Sequence, residues 1–371
     1  MTTTPGIPAP AAMKQRVATW DNARLALIVL VVIGHAISTI RTQSALGFGL
    51  YAYIYLFHMP AMIALSGMFS RPETSPKAIR STVQLLITWG VWEAIWALIH
   101  FFVEGKTPGK SFMVSPAWTL WFLVSLVTMR ILLPYLARLK HPLLVSIVLA
   151  LASGLFPAVG SEFSASRTLT FLPFFVAGWL ARERGWLAGD WFTRPTGGAR
   201  AAGWGILAAV AALFVLWPNL KQYWRIDKWL TWRDDYLWLF EHATLGGWNP
   251  GGSGAGGWFG IAAAGIGVTA LLLVAAGAMT LAILLVVPRG GGRLTVWGSR
   301  TLYVYLLHGV VIWVLRGTGV IDWLAGTGAL GILLIVIMAL GITALLSMKW
   351  VTVVFKPIIE PNVGWLLKRQ D

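Results

Sequence analysis

Long apolar runs, separated by short polar segments, make up most of the chain. Most of the runs are close to the length of about 20 residues that a transmembrane helix needs. Because they are long and lack the alternation typical of strands, they predict an all-α polytopic integral membrane protein with about ten transmembrane helices. The predicted spans are residues 24–40, 50–69, 83–103, 117–136, 143–159, 168–182, 201–217, 259–287, 300–316 and 327–348.

The same pattern predicts how the chain is divided. Residues 1–19 are predicted to form an N-terminal tail, residues 20–350 a single transmembrane domain and residues 351–371 a C-terminal tail. The first residues are small and polar with no apolar core, so we expect no cleavable signal peptide. The first apolar run would then act as the membrane anchor.

Composition supports a membrane protein and excludes several other classes. Of 371 residues, 57% are hydrophobic and 12% are charged, whereas a soluble domain carries about a quarter charged residues. An ordinary soluble enzyme, a disordered chain and a single-pass receptor are therefore excluded. The sequence contains no cysteine, which excludes disulfides, thiolate metal sites and a cysteine nucleophile, and we predict no bound metal.

The net charge of +15 is explained by membrane orientation. Most lysines and arginines fall on the side that holds both termini and the loops 70–82, 137–142, 183–200 and 288–299. Loops rich in positive charge stay in the cytoplasm, so both termini are predicted to be cytoplasmic. This asymmetry accounts for the charge without a nucleic-acid partner, and we predict none.

Residues 218–258 form the only long segment predicted outside the membrane. Near-helical spacing of apolar residues over 225–241 predicts an amphipathic helix in the membrane interface. The glycine-rich stretch 246–258 predicts a flexible connection. The apolar residues that predict the helix are Ile226, Trp229, Leu230, Leu237 and Phe240.

Tryptophans and aspartates in this loop have two interpretations. Aromatic planes beside carboxylates are common where proteins bind sugar rings. Tryptophan also prefers the headgroup level of a membrane, so an interfacial belt is the alternative. The residues are Trp224, Trp229, Trp232, Trp238 and Trp248 together with Asp227, Asp234 and Asp235.

Ionisable residues inside the predicted spans are candidates for function. Each costs about 3 kcal/mol or more at the centre of a bilayer, and such residues commonly mark binding or catalytic sites. Six residues lie inside a span or at its mouth. They are Arg24, His35, His58, Glu93, Arg130 and His308.

Arg24 and His35 form the most informative pair. They are eleven residues apart (35 − 24), which turns an α-helix by about 1100° and places both side chains on one face, about 16 Å apart. An arginine at the cytoplasmic mouth suits a phosphate, and a histidine, predicted halfway through the membrane, suits a general base. Together they predict a slot for a long phosphorylated co-substrate. The alternative is a snorkelling arginine and a histidine satisfied by a neighbouring helix.

Four motifs in order carry a resemblance to a known family. Trp20-Asp-Asn-Ala-Arg24 through Gly-His35-Ala36, in which ten residues separate the arginine and the histidine, resembles the first helix of the acyltransferase 3 family. These polytopic membrane enzymes move acyl groups onto carbohydrates and glycolipids. The later motifs are Phe57-His58-Met59-Pro60 through Ser66-Gly67 to Arg71, then Trp118-Thr-Leu-Trp121, then Tyr303-Val-Tyr305-Leu-Leu-His308.

The second motif is most similar to the fucose 4-O-acetylase-like branch of the family. The chain departs from the family pattern after that motif, because Lys77 and Arg80 are not followed by the usual proline. The third helix therefore aligns less well with the family.

The resemblance implies a membrane-bound O-acyltransferase of the bacterial plasma membrane. The donor would be a cytoplasmic acyl-CoA, most simply acetyl-CoA. The acceptor would be a hydroxyl of an extracytoplasmic carbohydrate or glycolipid of the cell envelope. The excess of arginine over lysine and the abundant alanine and glycine favour a GC-rich bacterium, for which a trehalose mycolate-type glycolipid is a candidate by analogy. Besides these substrates and the lipid bilayer, no obligate protein partner is predicted.

The resemblance also implies roles for individual residues. Arg24 would hold a CoA phosphate, and His35 would take the proton from the acceptor hydroxyl, which then attacks the thioester directly. Other predicted donor-binding residues are Arg71, Arg80, Arg130 and His308. Predicted acceptor-binding residues are Asp21, Trp118, Trp121 and Tyr305.

Two residues of the second span keep two interpretations each. Ser66 either forms an acyl-enzyme or, with Gly67, provides a small-residue notch where helices approach closely. His58 is either a second base or a donor to the backbone carbonyl that Pro60 leaves free.

Glu93 and His308 are similarly open. Glu93 either orients one of the catalytic histidines or forms an interhelical ion pair with Arg130 or a histidine. His308 either orients a substrate or is a satisfied interhelical histidine whose partner is Tyr305, on the same helix face.

Two broader alternatives complete the predictions. A secondary transporter or flippase of a small polar molecule or lipid-linked sugar also needs about ten helices, but the sequence shows neither inverted repeats nor paired broken helices. Within the enzyme class, the donor could be succinyl-CoA or a longer acyl-CoA. An extra cation near His35 would favour succinyl, and Arg41 lies about 120° around the helix from His35.

Overall fold

The structure, a computed structural model, describes residues 18–107, 109, 112–160, 162–251 and 255–367, and the regular elements of this part are helices. A helix is present at each of the ten predicted spans, so the all-α prediction is confirmed. An eleventh helix follows them. In chain order they are α1 (Ala18–Ile37), α2 (Ala45–Met68), α3 (Pro76–Glu104), α4 (Trp121–Leu136), α5 (Pro142–Ser153), α6 (Ala165–Glu183), α7 (Gly197–Val215), α8 (Ala255–Val286), α9 (Thr301–Gly317), α10 (Ala329–Leu346) and α11 (Lys349–Ile359).

Seven helical segments of the described residues are long and apolar enough to cross a membrane. They are α1, α2, α3, α7, α10, residues 257–286 of α8, and α9 together with the turn before it (Thr295–Gly317). Helices α4 and α5 are apolar but have only 16 and 12 residues, and α6 carries charged residues near both ends. The chain is a multi-pass membrane protein. The count of ten crossings and the cytoplasmic position of both termini stay predictions.

Helix α2 forms the centre of the bundle. Inside the protein, 83% of its apolar window is buried, compared with 17% for α7. It packs against α1, α6, α7 and α8. A helix that is apolar all round is expected at such a central position, because it meets protein on every side.

Small residues allow α2 and α6 to approach each other closely. A Cβ atom on Gly67 would lie 2.8 Å from the carbonyl carbon of Phe175, and one on Gly178 would lie 2.8 Å from that of Ala64. Neither position has room for a side chain, so the predicted small-residue notch at Gly67 is confirmed. The neighbouring Ser66 hydroxyl donates to the Met62 carbonyl of its own helix (2.9 Å).

Helix α1 begins and ends earlier than the predicted span 24–40. It ends at Ile37, so His35 lies in its last turn, and its position halfway through the membrane stays a prediction. The Ser38 hydroxyl donates to the His35 carbonyl (3.0 Å), and a run of turns leads from there to α2. The spacing between Arg24 and His35 is nevertheless helical throughout, which confirms that they share one helix.

The loop after α7 folds back onto the helices. Two short helices, Ile226–Trp229 and Tyr236–His242, replace the single amphipathic helix predicted over 225–241. Four of the five apolar residues that predicted that helix are buried in the protein core, and only Leu237 is exposed. The prediction of an interfacial helix is wrong because these side chains find partners within the protein.

Polar contacts tie this loop to the helix bundle. Lys221 donates to the carbonyl of Thr42 (2.7 Å) in the turn between α1 and α2. The backbone N–H of Tyr236 donates to the carbonyl of Gly154 (2.8 Å) at the end of α5. The loop therefore caps the end of the bundle that contains the last turn of α1.

The three aspartates of the loop are engaged in contacts with the protein itself. The Asp227 side chain is fully buried and forms ion pairs with Arg41 (3.0 Å) and Arg225 (2.8 Å). Burial raises the pKa of Asp227, but the hydrogen bonds and charges of the two arginines outweigh this and hold the pKa below its ordinary value. Asp234 accepts a hydrogen bond from a threonine hydroxyl, and Asp235 caps the second short helix. These contacts argue against the sugar-binding interpretation of the aspartates.

The loop tryptophans are divided between the core and the surface. Trp229 and Trp232 are buried, whereas Trp248 is exposed. Of the predicted flexible connection 246–258, residues 252–254 lie outside the described residues, and the remainder from Ala255 onward already belongs to α8.

The predicted C-terminal tail contains α11 and packs on α3. The Thr88 hydroxyl donates to the Ile359 carbonyl (3.1 Å), and the Gln84 amide donates to the Pro361 carbonyl (3.2 Å). Residues 1–17 of the predicted N-terminal tail and residues 368–371 lie outside the described residues.

Candidate active site

The rings of His35 in α1 and His308 in α9 meet edge to edge with nearly parallel planes. Their centroids are 5.0 Å apart with an angle of 6° between the planes, and Nδ1 of His35 lies 2.7 Å from Nε2 of His308. Both side chains are buried. Sequence analysis selected each residue as a candidate, and the structure shows that they are direct partners.

Hydrogen bonds define where the protons of this pair lie. Nδ1 of His308 is 2.9 Å from the Val304 carbonyl, which can only accept, so Nδ1 carries the proton. In neutral His308 the Nε2 atom then accepts, and His35 donates to it from Nδ1. Nε2 of His35 keeps its lone pair, and in the described part of the chain it has no hydrogen-bond partner. A ring nitrogen held in this way can act as a general base, with His308 fixing its orientation.

His58 in α2 lies beside this pair but does not join it. The Tyr55 ring is 4.9 Å from the His58 ring and 6.3 Å from the His35 ring. Nδ1 of His58 donates to the Ile54 carbonyl (2.7 Å). The predicted bond to the carbonyl freed by Pro60 is wrong, because Ile54 is six residues before the proline and not four. A role for His58 as a second base stays a prediction.

Arg316, at the end of α9, lies next to His35. Its Nη2 donates to the backbone carbonyl of His35 and to the Ser38 hydroxyl (2.7 Å). Its guanidinium is 4.4 Å from the centroid of the Trp118 ring, and that ring is 5.4 Å from the His35 ring. Trp118, a predicted acceptor-binding residue, is therefore in the site. Arg41 pairs with Asp227, which agrees with the prediction that it does not face His35.

Glu93 holds the segment that leads into α4. Its Oε1 accepts hydrogen bonds from the indole N–H of Trp89 (2.9 Å) and from the backbone N–H of Ala117 (2.8 Å). Among the described residues, no hydrogen bond or ion pair joins it to Arg130 or to a histidine, so both predicted pairings are wrong. A buried carboxylate here satisfies a backbone donor that the segment before α4 would otherwise leave unpaired.

Tyr305 in α9 holds the same segment from the other side. Its hydroxyl donates to the Thr119 carbonyl, and its ring lies 6.2 Å from the His308 ring. The prediction that Tyr305 is the partner of His308 is therefore wrong. Between these two anchors, Trp118 has a φ of 21°, a value that non-glycine residues rarely adopt. The anchors on both sides fix the position of the Trp118 ring.

Arg24 and Arg130 line one cavity of about 160 Å³. The cavity lies at the beginning of α1 and α9 and the end of α2, and Ser66 and Tyr305 also line it. Since the Tyr305 ring is 6.2 Å from the His308 ring, the cavity extends from the two arginines toward the histidine pair. Two guanidinium groups at one cavity suit a phosphate-bearing ligand.

The other residues predicted for donor binding lie elsewhere. Arg80 donates to the amide oxygen of Asn362 (3.4 Å), and both Arg80 and Arg71 are exposed. Neither is among the described residues that line the cavity. Asp21, predicted for the acceptor, forms an ion pair with Arg24 (3.2 Å) and so lies at the arginine end of α1.

Trp121 lies at the start of α4 beside a second arginine. Its ring stacks on Phe171 with centroids 5.6 Å apart, and the guanidinium of Arg167 is 4.8 Å from its centroid. Nε of Arg167 donates to the Thr231 carbonyl (3.0 Å) in the loop after α7. Trp121 is therefore in contact with Arg167, which in turn binds the loop after α7.

Sequence analysis missed Arg316, Arg167, Tyr55 and Ser38. Arg316 follows His308 by eight residues, a little over two helical turns. This spacing could have predicted that Arg316 lies near the same face of the helix as His308. Arg167 stands one residue before the predicted span 168–182. Nothing local to either arginine indicates that it lies close to His35.

Comparison with known proteins gives a family and two relatives. The model of the acyltransferase 3 family, described as an acyltransferase domain, matches residues 17–348. A nodulation protein NolL of Mesorhizobium japonicum is 28% identical over 198 residues, which are 48% of this chain and 52% of the relative. A nodulation protein NolL of Sinorhizobium fredii is 32% identical over 129 residues, which are 30% of this chain and 35% of the relative. The matched stretches span about half or less of these curated relatives. No solved structure matches the chain with significance.

The family match covers nearly the whole predicted transmembrane domain and all four motifs that carried the resemblance. It agrees with the apolar helices of the structure and with the arginine and histidine on α1. The resemblance is thereby confirmed, and the chain belongs to the acyltransferase 3 family.

Proposed function

We propose that the protein transfers an acyl group, acetyl in the simplest case, from a cytoplasmic acyl-CoA to a hydroxyl of an extracytoplasmic carbohydrate or glycolipid in a bacterial envelope. The observation that carries this proposal is the histidine pair. His35 has a free, oriented Nε2, and a cavity with two arginines lies toward one side of the pair. The base therefore stands where a phosphorylated donor and a hydroxyl acceptor can meet.

The donor would bind through Arg24 and Arg130. Phosphates of CoA are strong acceptors, and guanidinium groups bind them with paired, charge-assisted hydrogen bonds. The cavity, with a volume of about 160 Å³, is large enough for only part of an acyl-CoA molecule. The arginines would hold phosphate at one end of α1, and the pantetheine arm would extend past Tyr305 to bring the thioester to His35.

The acceptor would approach from the opposite end of α1. Glu93, Trp96 and His100 line a cavity of about 280 Å³ at the far end of α3. The Trp118 ring connects this cavity to the base, because it lies 6.2 Å from the Trp96 ring and 5.4 Å from the His35 ring. Aromatic walls of this kind suit a sugar ring.

The chemical step is direct transfer. Nε2 of His35 takes the proton of the acceptor hydroxyl as its oxygen attacks the thioester carbonyl carbon, a C–O bond forms and the C–S bond breaks. The proton on His35 then passes to the departing CoA thiolate. The products are the O-acyl acceptor and free CoA, so the acyl group crosses the membrane while CoA stays on its own side. His308 would keep Nδ1 of His35 protonated and stabilise the imidazolium that forms.

Purified full-length protein in proteoliposomes provides the test. With labelled acetyl-CoA and an envelope extract, the wild-type protein should transfer label to a carbohydrate or glycolipid, and His35→Ala should not. His141→Ala, which changes an exposed histidine before α5, is the matched control and should keep full transfer.

Two results would contradict the proposal. One is full activity of folded His35→Ala. The other is uptake of a polar solute by the proteoliposomes with no turnover of acetyl-CoA, which would favour a transporter. The acceptor would be identified by mass spectrometry of envelope lipids and glycans from cells with and without the gene, in which one compound should lose an acetyl group.

A further inference from the structure

Two arginines near His35 have no carboxylate partner among the described residues, in contrast to the arginines of the loop after α7. Arg41 and Arg225 share the buried Asp227, and Arg233 pairs with Asp234. Within the described ranges, neither Arg167 nor Arg316 forms an ion pair with a carboxylate. We refer to Arg167 and Arg316 as the arginine pair.

Backbone oxygens and aromatic rings hold the arginine pair in place. Arg316 donates to the His35 carbonyl and lies over Trp118, and Arg167 donates to the Thr231 carbonyl and lies over Trp121. These contacts use only some of the donors that each guanidinium offers. Nε of Arg316 is buried and has no hydrogen-bond partner in the described part of the chain. The arrangement fixes both cations and leaves hydrogen-bonding capacity unused.

The arginine pair lies close to the base. The Trp118 ring under Arg316 is 5.4 Å from the His35 ring. On the other side, Trp232 follows the Thr231 carbonyl that Arg167 binds, and its indole N–H donates to the Tyr55 carbonyl (3.5 Å). Arg316 is therefore one aromatic ring away from His35, and Arg167 is joined to the backbone of Tyr55 in α2 through Thr231 and Trp232.

Two partly buried cations that form no direct ion pair with a carboxylate are unfavourable by themselves. A charge removed from water is destabilised unless an opposite charge compensates it. The planar guanidinium fork matches a carboxylate or a phosphate in two-point hydrogen bonding. A structure that holds two guanidinium groups near a base, with no carboxylate of the described residues bound to either, is suited to a ligand that brings negative charge.

We propose that the arginine pair binds an oxyanion, a carboxylate or a phosphate, carried by a substrate of the acyl transfer. This rests on the proposed function. Arg24 and Arg130 lie toward the other end of α1, so the oxyanion is distinct from the CoA phosphates. It has two possible sources: an anionic acceptor, such as a uronic acid or a phosphorylated glycan, or the distal carboxylate of a dicarboxylic acyl group such as succinyl. The bonds that form and break in the transfer are the same in both cases.

Binding by purified full-length protein in detergent tests the oxyanion site. The probes are sodium glucuronate, inorganic phosphate and succinate, each compared with glucose plus sodium chloride at equal ionic strength. We expect at least one of these anions to bind by calorimetry and to raise the apparent melting temperature, while glucose does neither. Arg316→Gln and Arg167→Gln should each weaken that binding by about tenfold or more.

Two further variants keep the test decisive. Arg316→Lys retains the charge and should bind more weakly than wild type but more tightly than Arg316→Gln, and it stands in if the glutamine variant does not fold. Arg200→Gln, at an exposed position of α7, should leave binding unchanged. Absence of anion binding by the wild-type protein, or binding that Arg316→Lys and Arg167→Gln leave unaltered, would overturn the proposal.

Two additional measurements identify the source of the oxyanion and separate this inference from the proposed function. If the donor carries it, succinyl-CoA should bind about tenfold more tightly than acetyl-CoA to wild type and equally to Arg316→Gln. If the acceptor carries it, glucuronate should bind while the two thioesters bind alike. Anion binding without thioester binding would remove the acyl-CoA proposal alone, and thioester binding without anion binding would remove the oxyanion site alone.

Discussion

The two ends of α1 hold their charged and polar side chains in different ways. Near the N-terminal end, Arg24 pairs with Asp21 on its own helix and borders a cavity. Near the other end, His35 is fixed by His308, 273 residues away in sequence, and by Arg316, 281 residues away. The first arrangement is local and next to open space, as suits a binding group. The second is built from distant parts of the chain and is closely packed, as suits a catalytic group that must be held in one orientation.

This contrast predicts that the two ends affect different kinetic parameters. A residue that binds the donor equally well before and during reaction changes KM, whereas a base that acts only in the transition state changes kcat. Separate measurements of KM and kcat for variants at each end of α1 test this division.

The largest effect is expected for His35→Gln. Loss of a general base lowers kcat by about 10²- to 10⁴-fold, and the affinity for acetyl-CoA should stay within about twofold of wild type because Arg24 is unchanged. Single-turnover transfer and calorimetric binding of acetyl-CoA by the purified variant measure the two quantities. A rise in the dissociation constant that accounts for the whole loss would remove the distinction between the two ends.

The next largest effect is expected on the free energy of unfolding, for Asp227 near the His35 end of α1. Asp227→Asn leaves Arg41 and Arg225 without their shared carboxylate and should lower the free energy of unfolding by about 3 kcal/mol. Thermal or denaturant unfolding in detergent measures this. Asp190→Asn, at an exposed aspartate, is the control and should change stability by less than about 0.5 kcal/mol.

The same aspartate predicts a pH dependence. The folded-state pKa of Asp227 lies below its ordinary value, so its stabilising contribution is complete above the unfolded-state pKa of about 3.9 and is lost as the pH falls through the folded-state pKa. Wild-type stability should therefore fall more steeply than that of Asp227→Asn below about pH 4. Parallel curves for the two proteins would contradict this assignment.

At the other end of α1, Arg24→Gln should raise KM for acetyl-CoA by about ten- to a hundredfold, because it removes a charge-assisted contact to phosphate. The kcat should change by less than about threefold. Arg138→Gln, at an exposed arginine just after α4, is the control for loss of positive charge and should leave KM unchanged. A large fall in kcat with constant KM would mean that Arg24 acts on the chemical step.

The smallest effect is expected for Ser66→Ala. The Ser66 hydroxyl donates to its own helix, and direct transfer does not use it, so kcat should stay within about twofold of wild type. Steady-state transfer and a search for acylated protein by intact-mass spectrometry measure the outcome. A loss of activity greater than about a hundredfold, with an acyl adduct in the wild type that the variant lacks, would indicate an acyl-serine step.

The helix that carries Arg24 and His35 could be predicted from the sequence, but the contacts that hold His35 could not, for a physical reason. Hydropathy located all ten apolar helices, and the spacing of Arg24 and His35 placed both on one helix, because these properties depend on neighbouring residues. The link between His35 and His308, and the position of Arg316, depend on how α1 packs against α9. A single sequence contains no signal for that packing.

The errors have the same origin. Glu93 was expected to meet a charge or a histidine, but it meets the backbone N–H of Ala117 in a segment whose path no local pattern defines. The helix predicted over 225–241 is instead two short helices, since its apolar residues are buried in protein and not in the membrane interface. Polarity indicated which residues needed partners, and only the tertiary structure shows which partners they have.

We propose that His35 and His308 act as one catalytic unit, with His35 as the base and His308 as its positioning residue. The most direct test is the turnover number of His35→Gln, His308→Gln and the double variant, each with acetyl-CoA binding measured as a check on folding. If the two histidines act as a unit, His308→Gln lowers kcat by about tenfold or more, and the double variant is no slower than His35→Gln alone. Additive losses, in which the double variant is slower than His35→Gln by the full effect of His308→Gln, would show that the two histidines act independently.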